Sequence, residues 1–242
     1  MSSPYALTTE VTSGIAVVTI DLPGEPVNKF NRAVKDEFVA LFDRLERDLN
    51  VKAVVLLSGK KDSFIAGADI EEFLEIKSAA EAERLSHEGQ LLLDSIHEHR
   101  TPLVMAIHGA CMGGALELAL AAHYRIATDH PKTVLALPEV QIGLIPGAGG
   151  TQRLPRLIGV RAALDMILTG KSVRAKKAMQ IGLVDELVHP SILRRVAIQR
   201  AQEIADGKRK HEKHRGGVTG FLLDENPAGR RVVLKKAREE TL

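Results

Sequence analysis

Hydrophobic and polar positions alternate along the chain in two rhythms. The blocks IAVVTI at residues 15–20, AVVLL at 53–57 and LVMAI at 103–107 lack polar alternation and predict short strands buried on both faces. Between the first two, Val34, Phe38, Leu41, Phe42, Leu45 and Leu49 recur at helical spacing behind Asn31, whose side chain suits a helix N-cap. A second amphipathic helix is expected over about residues 78–99. It should stop before Thr101-Pro102, since the residue ahead of a proline disfavours helical geometry.

Beyond the third strand a glycine-rich turn leads into ALELALAA, a short helix with almost no polar face, which belongs inside the molecule. Further strands are expected at 124–127 and 183–188, and helices at 151–158, 161–168 and 175–180. Strands and helices that alternate in this way predict an α/β domain with mostly parallel pairing. After His189-Pro190 the composition changes to a helix over 191–205, the run GKRKHEKHRGG and the charged end KKAREETL. A main domain over residues 1–190 and an appended helical extension or linker over 191–242 are therefore expected. No internal repeat and no low-complexity stretch is visible.

With 242 residues the chain is long enough for a substantial core, and 45% hydrophobic and 26% charged residues are ordinary for a globular protein. A net charge of +2 is too small for protein-wide attraction to nucleic acid or anionic lipid, so any basic site must be local. One cysteine, Cys111, excludes an internal disulfide and suits a reducing compartment. The longest apolar stretch, residues 103–122, contains His108, Glu117 and three glycines, which argues against a membrane span. The first residues show neither a secretory signal nor a mitochondrial presequence, which makes the cytoplasm the expected location.

Three stretches could carry chemistry. In SFIAGADIEEF, Gly67 permits unusual backbone geometry, and Asp69 with Glu72 three positions on resembles a capping box, so the Ala68 N–H lies just before a helix start. In HGACMGGALELALAA, Gly113 and Gly114 stand where a strand hands over to the buried helix, so the Gly114 N–H should also be unpaired. Glu117 follows one turn later, in surroundings where a carboxylate needs a partner or a proton. An ion pair with an arginine elsewhere would be the plain structural solution. In LPEVQIGLIPGAGG, Glu139 sits among apolar residues before a glycine-rich turn, and taken singly it would be a helix-start or surface carboxylate. Two carboxylates in one apolar pocket beside two backbone donors would make an acid/base pair facing an oxyanion hole.

FIAGADI, GACMGGALELALAAHYRIA, PEVQIGLIPGAGGTQRLPRLIG and LTGKSVRAKKAMQIGLVDELV together resemble the crotonase, or enoyl-CoA hydratase/isomerase, superfamily, over roughly residues 5–190. The branch most resembled is the one in which this domain opens a longer multifunctional fatty acid oxidation chain. The resemblance implies an α/β, crotonase-like ββα spiral with a C-terminal helical extension. It implies Glu117 and Glu139 as the catalytic pair, Ala68 and Gly114 as oxyanion donors, and substrate contacts at Ala68, Asp69, Ile70 and Gly114. The implied reaction is hydration of 2-enoyl-CoA in fatty acid β-oxidation, with 3-enoyl to 2-enoyl isomerisation in the same pocket. Coenzyme A would arrive as part of the substrate, with no separate cofactor and no metal. The implied partners are an oligomer, or a thiolase subunit in complex with a full-length multifunctional protein.

Three departures limit the transfer. Ala115 stands where many relatives have a third glycine, and Glu71 where single-function hydratases often carry a lysine near the CoA phosphates. The multifunctional relatives continue into a 3-hydroxyacyl-CoA dehydrogenase domain, whereas no Rossmann GxGxxG occurs here, so NAD chemistry is not expected of this chain. TGKS at 169–172 lacks the first glycine of a phosphate loop, and HEKH at 211–214 is not the HExxH zinc pattern. His97 and His99 are expected at the surface, His108 as a hydrogen-bonded structural residue and Cys111 as a buried, inert one. Two readings stand beside the enzyme: a crotonase-fold protein binding RNA through KRKHEKHR, and an assembly subunit without catalysis.

Overall fold

The computed structural model describes residues 5–209 and the helical positions 231, 234, 235 and 238. The chain opens with a hairpin that the hydrophobic pattern does not predict. Strand β1 (Leu7–Thr12) pairs antiparallel with β2 (Ile15–Ile20) through Ser13 and Gly14, whose φ angles are +52° and +81°. Two left-handed residues in succession match the twist of a tight hairpin.

Helix α1 (Arg32–Arg47) begins at Asn31, whose side-chain oxygen accepts the Val34 N–H, and buries Val34, Phe38, Leu41, Phe42 and Leu45. Leu49, counted in the expected stripe, falls past the helix end and is exposed. Then come β3 (Ala53–Ser58), β4 (Ser63–Ile65), the one-turn α2 (Ile70–Leu74) and the long α3 (Ala79–Glu98), capped by Ser78 and finished before Pro102 as the sequence predicts. Strands β5 (Leu103–Ile107) and β6 (Ala110–Met112) lead into α4 (Gly114–Ala121), which is buried on nearly every side. After β7 (Tyr124–Thr128) and β8 (Val134–Ala136), a 3₁₀ turn over Glu139–Ile142 precedes α5 (Gly150–Ile158) and α6 (Val160–Thr169). The remaining elements are β9 (Val173–Arg174), α7 (Ala175–Gln180), β10 (Glu186–Val188), a 3₁₀ turn over Pro190–Ile192 and α8 (Leu193–Ala205).

The strands form two sheets. One has the order β1-β2-β3-β5-β7-β10, parallel except at β1, and the smaller one has the order β4-β6-β8-β9, parallel except at β9. Each of β3, β5 and β7 in the large sheet is followed by a strand of the small sheet and then by helix, so the chain winds as a ββα spiral. The fold class expected from the sequence is thus observed.

Alternate residues of the large sheet serve two cores. Val18, Val54, Leu56, Met105 and Ile107 face the interior shared with α1, α4 and the small sheet. Val17, Ala53, Val55, Val104 and Ala106 face the other way, against Leu193, Val196, Ala197 and Ala201 of α8. The strands read as continuous apolar runs because both faces are covered. The division expected at residue 190 does not coincide with a break in packing, since α8 is the layer that closes the outer face of the sheet. Among the described residues no helix is long and apolar enough to cross a membrane.

Candidate active site

The two glycine-bearing segments singled out in the sequence meet between the sheets. Phe30 N–H donates to the Gly67 carbonyl at 2.8 Å, and Asp69 N–H donates to the Phe30 carbonyl at 3.0 Å. Ala68 lies between these two bonded residues, so strand alternation turns its N–H away from Phe30. Gly113 adopts φ +55° and ψ −127°, a conformation closed to residues with a side chain, and donates its N–H to the Ala136 carbonyl at 2.9 Å. Gly114 is then the first residue of α4, with an N–H beyond the reach of intrahelical bonding. Among the described residues neither the Ala68 nor the Gly114 N–H has a hydrogen-bond partner. A Cβ placed on Gly67 would lie 3.0 Å from the Met112 carbonyl oxygen and 3.9 Å from Gly113 Cα, so the two segments are in close contact.

One turn along α4, Glu117 is 3% exposed, and its Oε1 accepts the N–H groups of Ala148 at 2.8 Å and Gly150 at 2.7 Å. The buried carboxylate is thus satisfied by main-chain amides of the PGAGG turn and not by the arginine ion pair that was the plain alternative. Burial pushes its proton affinity up, while the Gly150 and Ala148 amides and the Arg153 charge pull it down. The turn itself is held from α3: Ser86 Oγ donates to the Gly147 carbonyl at 2.7 Å, Gln90 Nε2 donates to it at 2.8 Å, and Asp94 pairs with Arg153.

Glu139 opens the 3₁₀ turn, and its Oε1 would lie 3.1 Å from a Cβ on Gly113, which sets the carboxyl against the start of α4. Its Oε2 is buried without a partner among the described residues. Burial raises the Glu139 pKa from 4.5 to about 7; a hydrogen bond from its own main-chain N–H opposes the rise and the Glu117 charge adds to it. Glu139 is therefore neither a simple cap nor a surface group. Gln141, in the same turn, donates to the Gly170 carbonyl at 3.0 Å and fastens the turn to the end of α6.

The structure therefore brings Ala68, Gly114, Glu117 and Glu139 together. Two unpartnered N–H donors beside a pair of carboxyls of raised proton affinity can hold a carbonyl oxygen while protons move at neighbouring carbons. Asp69 faces elsewhere: it caps α2 through the Glu71 N–H, and its carboxylate pairs with Lys29 at 2.9 Å, which holds its pKa below the usual range. The capping box does not close, because Glu72 instead accepts the Arg32 N–H at the start of α1 and pairs with Lys35. Ile70 is the exposed first residue of α2.

Other singled-out residues are structural. His108 Nε2 bonds the Lys60 carbonyl at 2.6 Å. Cys111 is fully buried, which pushes its thiol up and out of the thiolate range. Of KRKHEKHR, Lys208 pairs with Asp206 and Arg209 with Glu203, while its other residues, with HEKH, lie outside the described residues. Among the described residues no three His, Cys, Asp or Glu side chains gather as metal ligands do.

Two sheets wound as a ββα spiral, with unpaired amides beside one buried and one half-buried glutamate, make a crotonase-type fold and site, and the chain belongs to the enoyl-CoA hydratase/isomerase family, whose sequence profile matches residues 10–215. It is similar to the fatty acid oxidation complex subunit alpha of Idiomarina loihiensis, at 48% identity over 99% of this chain and 34% of that protein. The chain thus spans about a third of the length of that relative. Among solved structures it is similar to enoyl-CoA hydratase from Bacillus anthracis, with TM-score 0.77 and 27% identity over 97% of this chain and 90% of that one. It is also similar to Pseudomonas aeruginosa DspI, with TM-score 0.77 and 32% identity over 100% of this chain and 84% of that one.

Proposed function

We propose that this chain adds water across the double bond of a 2-enoyl-CoA to give a 3-hydroxyacyl-CoA, as a step of fatty acid oxidation in the cytoplasm. The observation that carries this reading is the meeting of two unpartnered main-chain donors, Ala68 and Gly114, with two glutamates that the chain separates by more than a turn of helix. The thioester oxygen accepts both N–H groups. The Glu117 carboxylate, held ionisable by two amides through Oε1, takes a proton from water as the water oxygen bonds to C3. The electrons of the C2–C3 double bond move toward the thioester, and the resulting enolate charge rests on the oxygen that the amides hold. Glu139, whose raised proton affinity keeps it largely protonated below about pH 7, delivers its proton to C2. The amides face the charge only as it develops, so they stabilise the transition state more than the bound substrate, by about 3–4 kcal/mol per donor.

Moving a double bond from position 3 to position 2 uses the same enolate and the same two acids without water, so isomerisation is assigned to the same pocket. Coenzyme A enters as part of the substrate. In a longer multifunctional chain, this unit would pass its product to a dehydrogenase domain and assemble with a thiolase subunit.

The test is the loss of enoyl-thioester absorbance with the full chain and with Glu117→Gln and Glu139→Gln separately. Both variants should lose at least about a hundredfold of kcat, the usual scale for a positioned acid or base. Equal rates for all three proteins would refute the assignment. Salt-sensitive RNA binding together with full tolerance of Glu117→Gln would favour the nucleic-acid reading instead.

A further inference from the structure

Asn28 has no part in the sequence reading, yet it is fully buried and its carboxamide bonds four residues on three separate pieces of chain. Its Oδ1 accepts the Leu22 N–H at 2.8 Å. Its Nδ2 donates to the Ile20 carbonyl at 3.0 Å, to Ser58 Oγ at 2.9 Å and to the Phe64 carbonyl at 3.0 Å. The ends of β2 and β3, the turn after β2, and β4 of the other sheet thus share one polar node. Removing a buried amide of this kind would leave its buried partners orphaned.

The main chain at the same place builds the donor segment. The Asn28 carbonyl accepts the Ala66 N–H at 2.8 Å, and Phe30 bonds Gly67 and Asp69 on either side of Ala68. This short parallel ladder is what turns the Ala68 N–H outward, and its first rung starts from the residue that the carboxamide clamps. Apolar packing anchors Phe30, Phe64 and Ile65 but gives no hold on the two residues before Ala68, because Gly67 has no side chain and Ala66 is exposed.

Resting on the hydratase reading above, we propose that Asn28 is a positioning residue for the reaction: it fixes the strand that carries the Ala68 oxyanion donor, and so sets how well that N–H meets the thioester oxygen. It touches no substrate. A misplacement of about 1 Å at a reacting group costs about a hundredfold in rate, which bounds the effect expected of its loss.

The experiment compares the full chain with Asn28→Ala and Ser58→Ala, all assayed well below their melting temperatures with crotonyl-CoA. Asn28→Ala should lower kcat about 10- to 100-fold with KM changed less than about threefold, because an interaction made in the transition state is lost. Ser58→Ala, which removes one corner of the node, should shift kcat in the same direction by less. A second readout is the carbonyl stretch of isotope-labelled crotonyl-CoA bound to each protein in a Glu117→Gln background. Hydrogen bonding lowers that frequency, and the lowering should shrink when Asn28 is replaced. A lowered melting temperature with unchanged kcat per folded molecule and an unchanged stretch would overturn the proposal and leave Asn28 a stability residue. Should Asn28→Ala not fold, an unchanged kcat and stretch in Ser58→Ala would overturn it equally. An unsubstituted chain that neither hydrates nor binds crotonyl-CoA overturns the hydratase reading, and this assignment falls with it.

Discussion

Gly114→Ala is expected to leave the fold intact, or slightly firmer, while removing activity, and the two effects have separate origins. A Cβ built at Gly114 meets nothing within 4 Å, and the residue is the first of α4, where alanine is a better helix former than glycine. The substitution should stabilise the protein by about 0.4–1 kcal/mol. In a domain of this size that is about 1–4 °C in melting temperature. The Cα–Cβ bond of a helical residue tilts toward the helix N-terminus, so the new methyl enters the space that the Gly114 N–H faces. A thioester oxygen that needs this donor is then held off. The expected loss is about 10²- to 10³-fold in kcat, the scale of one missing oxyanion donor. Calorimetry and crotonyl-CoA hydration measured on the same preparation give both quantities. Full activity in a stabilised variant would show that the open space over Gly114 is not where the substrate carbonyl sits, and the mechanism would fail.

Other expectations follow from the same geometry. If Glu139 supplies the proton, kcat/KM should fall as the pH rises through about 7, and the residual rate of Glu139→Gln should lack that limb; a profile flat from pH 5 to 9 would remove Glu139 from the acid role. Glu139 binds its proton more firmly in the fold, at about 7, than at its ordinary value of 4.5, so its favourable contribution is complete below about 4.5 and lost as the pH rises through about 7. The gain in melting temperature of Glu139→Gln should accordingly be larger at pH 8 than at pH 4.5, which calorimetry at the two values checks. Arg125 is buried, 2.9 Å from Asp185, and donates to the Ala122 and Leu183 carbonyls; Arg125→Met should cost about 3–5 kcal/mol in urea unfolding, and a near-neutral result would deny the pairing its structural weight. Leu193→Ala on α8 should cost about 2–5 kcal/mol by the same assay, whereas a helix merely appended to the domain would lose almost nothing.

The elements most legible in the sequence are those whose burial is complete. β2, β3 and β5 fall where unbroken apolar runs put them, and α1 starts at its expected cap. β1 escapes the pattern because LTTEVT buries only Leu7 fully and is held mainly by its hairpin turn. The three-residue strands β4, β6 and β8 are too short to show a period, and β6 lies within a stretch read as a turn. At the site, glycines adjoining Ala68 and Gly114 mark a close approach of backbone that the sequence displays. The partner of Glu117 was readable only in part: an apolar helix announces that a carboxylate needs help, but main-chain amides 31 and 33 residues away carry no side-chain signature. Asn28 is invisible for a related reason, since one asparagine in a proline-rich turn looks like any other turn residue until its neighbours are folded around it.

Helix α4 is gripped at its far end by Arg125, whose guanidinium donates to the Ala122 and Ala119 carbonyls, while its near end carries Gly114, the proposed oxyanion donor. Eight residues at 1.5 Å each make a rod of about 12 Å. The rod has almost no polar face with which to find another seat, so slack at the clamp travels along it as movement of the tip. On the proposed mechanism, the donor at one end of this short lever is held in place by a cation buried at the other.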